Sequence, residues 1–346
     1  MAFNNNKGEL PFPYEINDLD PEINAELLEY FHGERTGFVQ VGPQKYFFPS
    51  KYKEAAEYFY NFQARPDDIW IATFPRSGTT WTQELVWLLA NDLDYETAQR
   101  EPLTKRFPFF EFHIFMHDDV KQELLDDNAD DPNKMNFIEI ISQPGYEFFA
   151  QMQQRRFIKT HFPFSLLPPS VTEQQAKVIY VARNPKDVAV SFYHLNRLYK
   201  TQGYIGDFPR YWSYFKRGLN PWMPYFSHLK EGWSHRHDPN VLFMFYEDMN
   251  KNFPETICKV AKFLGKTLTT EQIDKLATYL NIENFKNNPA VNGKELKEVK
   301  VLNSGEAGFV RNGKIGSWQK EFTPKLIAEA DQWMADNLQD TDLRFP

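Results

Sequence analysis

Short apolar runs alternate along this chain with segments whose apolar residues recur at helical spacing. Four runs have the length of a buried strand, and they cover residues 68–73, 156–160, 177–182 and 241–246. Helical spacing is found at residues 23–32, 54–60, 82–89, 253–264, 270–280 and about 325–338. This alternation predicts an α/β fold with a central, mainly parallel sheet flanked by helices on both faces.

The pattern contains no domain linker, so we expect a single domain over residues 1–346. Residues 1–35 read as an N-terminal lead, with residues 1–22 loosely packed. Residues 112–155 are interrupted by prolines and begin within a dense aromatic patch at 107–115. We interpret 112–155 as a long, lid-like insertion with small helices of its own, the alternative being an inert surface insertion.

The first strand leads into a turn that is suited to an anion. Residues 74–81 read FPRSGTTW, and a helix follows them. A strand, a tight turn with one glycine and several hydroxyls, and a helix start together form a phosphate cradle, because the first N–H groups of a helix are free and its dipole favours an anion. The turn is P-loop-like but lacks the lysine after Gly78 that the usual motif requires, and its cation is Arg76.

Cations and a histidine follow the next strands. Lys159 and His161 lie at the end of the second strand, and Arg183 ends the third, with Ser191 two turns into the helix behind it. Ligands of open α/β sheets bind at this edge. A basic, glycine-rich loop at residues 308–318 could fold over a second phosphate.

Composition narrows the possible partners. The formal charge of -8 argues against nucleic acid. The single cysteine, Cys258, excludes an internal disulfide framework and is typical of a reducing compartment; we expect it in the core. The sequence has no secretory leader and no run long enough to span a membrane, so we expect a cytoplasmic protein. The aromatic content of 16% suits an apolar cavity, although core packing accounts for most of it.

Two separate phosphate sites indicate a nucleotide with phosphates at both ends of its ribose. A base and several cations without an acidic metal cluster favour transfer of an anionic group to a hydroxyl with no metal. A P-loop kinase is the weaker alternative, because the turn lacks its lysine.

Five motifs in order resemble those of the cytosolic sulfotransferases. They are FPRSGTTW (74–81), KTHFP (159–163), ARNPKDVAVSFYH (182–194), FYEDM (245–249) and RNGKIGSW (311–318). The resemblance covers about residues 35–345. It implies 3′-phosphoadenosine 5′-phosphosulfate (PAPS) as donor, 3′-phosphoadenosine 5′-phosphate (PAP) as product, no metal, and a small hydrophobic phenol or alcohol as acceptor.

The resemblance also implies roles for individual residues. His161 would be the base, with Lys159 and Arg76 as the other catalytic groups. The 5′-phosphate would be held by the turn, and the 3′-phosphate by residues that follow the third strand and by the glycine-rich loop, while two aromatic residues would flank the adenine. The implied donor-binding residues are Arg76, Ser77, Gly78, Thr79, Thr80, Trp81, Arg183, Ser191, Tyr246, Arg311, Asn312 and Gly313.

Several positions depart from the family pattern. Arg76 and Asn312 stand where lysine is usual, and of the C-terminal dimer motif only Thr323 remains, so a homodimer through that seam is doubtful. The 112–155 segment is some twenty residues longer than in most vertebrate members. That length and the ending DTDLRFP resemble the insect branch that contains retinol dehydratase, in which sulfonation of an allylic alcohol is followed by elimination. Sulfonation with a stable ester, dehydration of the retinol type and a non-catalytic carrier of hydrophobic ligands are the alternatives that remain.

Overall fold

The computed structural model describes residues 10–305, 308–310 and 313–346. The strands in these ranges are β1 (Ile16–Asp18), β2 (Phe38–Val41), β3 (Tyr46–Pro49), β4 (Ile69–Ala72), β5 (Phe157–Thr160), β6 (Lys177–Ala182) and β7 (Val241–Phe245). The α-helices are α1 (Pro21–Tyr30), α2 (Tyr52–Tyr60), α3 (Thr79–Ala90), α4 (Tyr95–Arg100), α5 (Leu103–Arg106), α6 (Asp118–Asp126), α7 (Pro132–Ile141), α8 (Gly145–Gln151), α9 (Pro169–Glu173), α10 (Pro185–Leu198), α11 (Phe208–Arg217), α12 (Tyr225–Ser234), α13 (Tyr246–Lys251), α14 (Phe253–Phe263), α15 (Thr270–Tyr279), α16 (Ile282–Asn287), α17 (Lys294–Glu298) and α18 (Pro324–Leu338).

The central sheet has the strand order β5-β4-β6-β7, and all its neighbouring pairs are parallel. The α/β fold with a central parallel sheet is therefore confirmed, and each of the four predicted strands is present. Because helices cover both faces, the apolar side chains of these strands are almost all buried. The carboxyl ends of all four strands meet at one edge.

A second sheet was not predicted. It is antiparallel, with the order β1-β2-β3, and β1 pairs Ile16 with Val41. Part of the segment that we expected to be loosely packed is thus an edge strand. Its strands are three or four residues long, too short to show alternation, and they are specified by packing against distant parts of the chain.

The predicted helices lie within one to three residues of their observed bounds. The interpretation of Cys258 as a core residue is wrong, because its side chain is exposed on α14. The buried face of that helix is formed instead by Ile257, Val260 and Ala261. The helix was therefore predicted correctly, but Cys258 was assigned to the wrong face of it.

The 112–155 segment folds as a 3-10 turn (Phe112–Phe115) and helices α6, α7 and α8. Its apolar residues Val120, Leu124 and Ile138 pack with Leu198 and Val301, which come from much later in the chain. The acidic residues at 126–131 are partly paired, since the Asp127 carboxylate lies 3.3 Å from the Lys200 ammonium. Surface ion pairs also join α6 to the N-terminal third of the chain, among them Lys51–Asp118 at 2.7 Å and Arg35–Glu123 at 2.8 Å.

Candidate active site

The turn after β4 presents the start of α3 to the carboxyl edge of the sheet. Gly78 caps α3 with φ +98°, which glycine adopts easily. A Cβ atom at Gly78 would also lie 2.7 Å from the Tyr246 ring. Glycine is therefore required here twice, for the backbone conformation and for the close approach of Tyr246, and the first N–H groups of α3 stay open to a ligand.

Arg76 in this turn has φ +68°, a conformation that a non-glycine residue adopts only where its surroundings impose it. Its Nε donates to Ser191 Oγ at 2.9 Å, and a terminal nitrogen donates to the Phe309 carbonyl at 3.2 Å. The guanidinium thus connects the turn to α10 and to the glycine-rich loop. Arg76 was expected near the leaving group and Ser191 at the 3′-phosphate, and the structure brings them into direct contact.

Arg183, at the end of β6, is held from several sides. Its guanidinium donates to the Arg76 carbonyl at 2.9 Å and lies 4.2 Å from the centre of the Tyr246 ring. The Tyr225 hydroxyl donates to the Arg183 carbonyl. The side chain is therefore fixed in position before any anion arrives.

Several buried polar atoms at this edge have no hydrogen-bond partner within the described ranges, among them the donors Ser77 Oγ and Arg183 Nε and the carboxylate oxygens Glu111 Oε2 and Glu247 Oε2. Buried polar groups normally have a partner. A hydroxyl and a guanidinium N–H suit phosphate oxygens. The residues present therefore fit a nucleotide that carries two phosphate groups.

The glycine-rich loop is anchored from beneath by the Asp187 carboxylate on α10. This carboxylate accepts from Gly316 N at 2.8 Å, Ser317 Oγ at 3.1 Å and Trp318 N at 3.2 Å. Gly313, in the same loop, accepts a hydrogen bond from the Tyr246 hydroxyl through its carbonyl at 2.9 Å. Arg311 and Asn312, which were predicted to bind the donor, lie outside the described residues.

His161 is buried, and its imidazole is oriented by the main chain. Its Nδ1 lies 2.6 Å from the Thr73 carbonyl oxygen. A carbonyl only accepts, so Nδ1 carries the proton and Nε2 is left with a free lone pair. Burial, then the nearby Lys159 ammonium, hold the pKa of His161 well below its usual range, so the ring is neutral at pH 7.

Lys159 lies in the same buried region, with its Nζ 4.0 Å from the centre of the Phe109 ring. Burial lowers the pKa of Lys159 to about 8, with a smaller lowering by Arg76 and an opposing effect of the Glu111 carboxylate. The ammonium form therefore predominates at pH 7 and is lost as the pH rises through about 8.

Two adjoining cavities open at these residues. The smaller, of about 140 Å³, contains most of the predicted site residues. Those that line it are Arg76, Gly78, Thr79, Thr80, Trp81, Lys159, His161, Arg183, Ser191, Tyr246 and Gly313. Ser77 does not line this cavity and is buried in the turn.

The larger cavity, of about 400 Å³, is mainly apolar. Phe137, Ile141 and Phe148 of the 112–155 segment form one side of it, and Val291 and Leu296 form part of another. The residues shared by the two cavities are Thr80, Phe109, Phe112, Lys159, Tyr199 and Phe309.

Sequence reasoning missed Glu111, Tyr199 and Trp222. Trp222 lines the smaller cavity, and its indole lies 5.1 Å from the His161 ring. Glu111 is fully buried beside His161. A lone carboxylate inside the aromatic patch at 107–115 was a usable signal for Glu111, whereas Tyr199 and Trp222 are brought to the site only by tertiary packing.

Within residues 10–305, 308–310 and 313–346, no three His, Cys, Asp or Glu side chains form a group that could hold a metal ion. Over the same ranges, no helix is both long and apolar enough to cross a bilayer.

Comparisons with known proteins assign the family. The family described as "Sulfotransferase domain" matches residues 66–342. The chain belongs to the sulfotransferase family. The predicted resemblance and enzyme class are thereby confirmed, and the chain is a transferase of sulfur-containing groups.

Individual relatives make this family assignment more specific. Luciferin sulfotransferase of Photinus pyralis is 35% identical over 318 residues, which cover 90% of this chain and 81% of that protein. Retinol dehydratase in complex with androsterone and PAP is 42% identical, with a TM-score of 0.90 over 97% of this chain and 99% of that one. Its complex with retinol and PAP gives 41% identity and the same TM-score, over 97% and 100%.

Proposed function

We propose that this sulfotransferase moves a sulfonate from PAPS to the hydroxyl of a small hydrophobic phenol or alcohol, with His161 as the base. The observation that carries the proposal is the orientation of His161. Its Nδ1 donates to the Thr73 carbonyl at 2.6 Å, so its Nε2 is free to accept a proton. A neutral imidazole in a cavity that also holds cations suits removal of a hydroxyl proton as that oxygen attacks an anionic group.

The donor would be held at the smaller cavity. The start of α3 with Ser77, Gly78, Thr79 and Thr80 would bind the 5′-phosphate. The 3′-phosphate would be bound by Arg183, Ser191 and Gly313, and by Arg311 and Asn312, while Trp81 and Tyr246 would flank the adenine. When bound, PAPS supplies the sulfonate and a phosphate leaving group. Support comes from the unpartnered Ser77 and Arg183 atoms and from two relatives solved with PAP.

Lys159 and Arg76 would stabilise the negative charge that passes between donor and acceptor. Lys159 is a compact cation next to His161, and low polarity around it strengthens its effect on nearby anions. Arg76 lies against Ser191 and so on the side assigned to the 3′-phosphate. Its planar guanidinium would act there as well as near the leaving group.

The acceptor would place its hydroxyl near His161 and its apolar body in the larger cavity. The apolar lining from Phe137, Ile141 and Phe148 supports a hydrophobic acceptor. Retinol dehydratase has been solved with retinol and with androsterone. We propose that residues 112–155 act as a lid over this cavity within one domain that spans the chain.

Dehydration is the second candidate, and the 41–42% identity to retinol dehydratase favours it. With an allylic alcohol, the C–O bond of the sulfate ester can break, so that sulfate leaves and a delocalised cation remains. Loss of a proton from this cation then gives a hydrocarbon. The same site would form a stable ester with a phenol, because a phenol has no such path.

Two further proposals concern the whole protein. A cytoplasmic location is supported by the single cysteine. A homodimer through the family's C-terminal seam is disfavoured, since Thr323 instead caps α18 by accepting from Leu326 N at 3.4 Å.

The test is the mass of the product after incubation with PAPS and either a simple phenol or retinol, without added metal. A sulfate ester of the phenol is the expected result, and PAPS-dependent loss of water from retinol would support the second candidate. Measurable PAP binding with neither product would contradict both candidates and favour a carrier of hydrophobic ligands. A requirement for Mg²⁺ would favour the P-loop kinase alternative.

A further inference from the structure

The segment immediately before the 112–155 insertion runs alongside β5. Phe110 N donates to the Lys159 carbonyl at 2.8 Å, and Lys159 N donates to the Pro108 carbonyl at 3.0 Å. Phe109 and Lys159 form a parallel bridge. These contacts place Phe109 alongside Lys159, and the turn that follows brings Glu111 beside His161.

The Glu111 carboxylate joins two parts of the site. Its Oε1 accepts from His161 N at 2.6 Å and from Trp222 Nε1 at 3.1 Å. Glu111 is fully buried, and its second oxygen, Oε2, has no partner among the described residues. Hydrogen bonds to a carboxylate are about twice as strong as neutral ones, so these two contacts are strong anchors.

Trp222 needs such an anchor. It has φ +63°, a backbone conformation that is strained for a bulky residue. Its indole meets the His161 ring nearly edge-on, at 5.1 Å and 73°, and lies 4.3 Å from the Phe115 ring. The same carboxylate therefore fixes the main chain of the base and the wall against which an acceptor would rest.

The titratable groups that interact with this carboxylate are the Lys159 ammonium and the Tyr52 phenol, while Arg76 acts on Lys159 and His161, and His228 acts on His161. Burial raises the pKa of Glu111 to about 7, while the hydrogen bond from the His161 main chain, the charge of Lys159 and the hydrogen bond from Trp222 oppose the rise. In return the carboxylate raises the pKa of Lys159, against burial and Arg76. Each charge is thus maintained partly by the other.

We propose that Glu111 is a positioning residue of this site: it fixes the His161 main chain and the Trp222 indole relative to one another, and it places a buried carboxyl group on the segment that pairs with Lys159. This inference rests on the proposed function only for the roles of His161 and Lys159.

The test is Glu111→Gln, which keeps an accepting oxygen and removes the charge. We expect kcat/KM for the acceptor to fall about 10- to 100-fold at pH 7, PAP affinity to change less than threefold, and the alkaline fall in kcat/KM to begin at lower pH. Glu231→Gln is the matched control, because Glu231 also accepts from a backbone N–H, of Ser165 at 2.8 Å, and from an aromatic side chain, Tyr46 at 2.7 Å. Glu231→Gln should lower Tm and leave the alkaline fall in kcat/KM at the same pH as in the wild type.

Trp222→Phe is a second variant, in case the first does not fold. It keeps an aromatic ring but removes the indole N–H together with the five-membered ring, so it should raise the acceptor KM several-fold and leave the alkaline fall unchanged, because the carboxylate remains. Wild-type kcat, KM and pH dependence in folded Glu111→Gln would overturn the inference, and so would a loss equal to that of Glu231→Gln.

A measurement without turnover separates this inference from the proposed function. The pKa of Lys159 can be followed by NMR of the side-chain nitrogen in the protein alone. It should fall in Glu111→Gln and stay constant in Glu231→Gln. An unmoved Lys159 titration would contradict the inference even if the enzyme sulfonates, whereas a shifted titration in a protein that makes no product would contradict only the proposed function.

Discussion

The two adjoining cavities are built in different ways. The ends of parallel strands, the first turn of α3, the middle of α10 and the glycine-rich loop contribute to the smaller one, which combines cations and hydroxyls with aromatic side chains. The larger one is built from separate segments, including 102–112, 137–148 and 290–296, and is lined mainly by apolar side chains. A charged ligand is thus received by short motifs at one edge of a sheet, and an apolar ligand by surfaces that meet only in the fold.

This difference has a physical cause. An anion is bound by directed groups, such as helix N–H groups and guanidinium nitrogens, whose geometry a few consecutive residues can set. An apolar molecule is bound by shape, which depends on how whole helices pack. We therefore expect changes in the smaller cavity to affect donor binding, chemistry or the placing of the acceptor hydroxyl beside His161, and changes in the larger one to affect mainly the choice of acceptor.

The largest effect is expected for His161→Ala. Loss of a general base typically costs 10²- to 10⁴-fold in rate. PAP affinity should stay within about threefold of wild type, because His161 is assigned to the acceptor hydroxyl and not to a phosphate. Steady-state kinetics with a phenol and calorimetry with PAP measure the two quantities. A large loss of PAP affinity would contradict the assignment of His161 as base.

Arg183→Ala tests the predicted 3′-phosphate site. It should weaken PAP far more than adenosine 5′-phosphate, because a hydrogen bond to a charged group is worth about 1.5–3 kcal/mol, or roughly 10- to 150-fold in affinity. Arg210→Ala, which changes an exposed arginine on α11, is the control and should leave both affinities unchanged. If both nucleotides lost affinity equally, Arg183 would not be specific to the 3′-phosphate.

The pH dependence of kcat/KM tests the proposed role of the Lys159 ammonium group. Because the pKa of Lys159 is lowered to about 8, its cation is present below that pH and is lost above it. The value of kcat/KM, which reports on the free enzyme, should fall about tenfold per pH unit beyond that point. Lys159→Arg keeps a permanent charge, so its residual activity should lack this fall. An identical alkaline fall in the wild type and in Lys159→Arg would show that a titratable group other than Lys159 causes it.

The smallest effect is expected at the larger cavity. Phe137→Trp adds volume to its wall and should raise KM for a long acceptor such as retinol several-fold more than KM for a small phenol, with PAP affinity unchanged. Ile205→Trp, at an exposed residue outside both cavities, is the control. An unchanged acceptor profile after deletion of part of 118–145 would contradict the role of the 112–155 segment as a lid.

The sequence by itself determined the central sheet and most of the smaller cavity. Each strand of the sheet is a continuous apolar run, and Arg76, Lys159, His161 and Arg183 directly follow or end such runs. The carboxyl ends of parallel strands meet at one edge, so local pattern was enough to bring these residues together.

Only the tertiary structure decided the remaining features. Glu111 reaches His161 because its segment pairs with β5, and Trp222, more than sixty residues further along the chain, joins the same carboxylate. The contact between Arg76 and Ser191 and the apolar walls of the larger cavity likewise depend on how distant elements pack. Such contacts carry no periodic signal in the sequence, because they arise from packing between segments and not from the conformation of either segment alone.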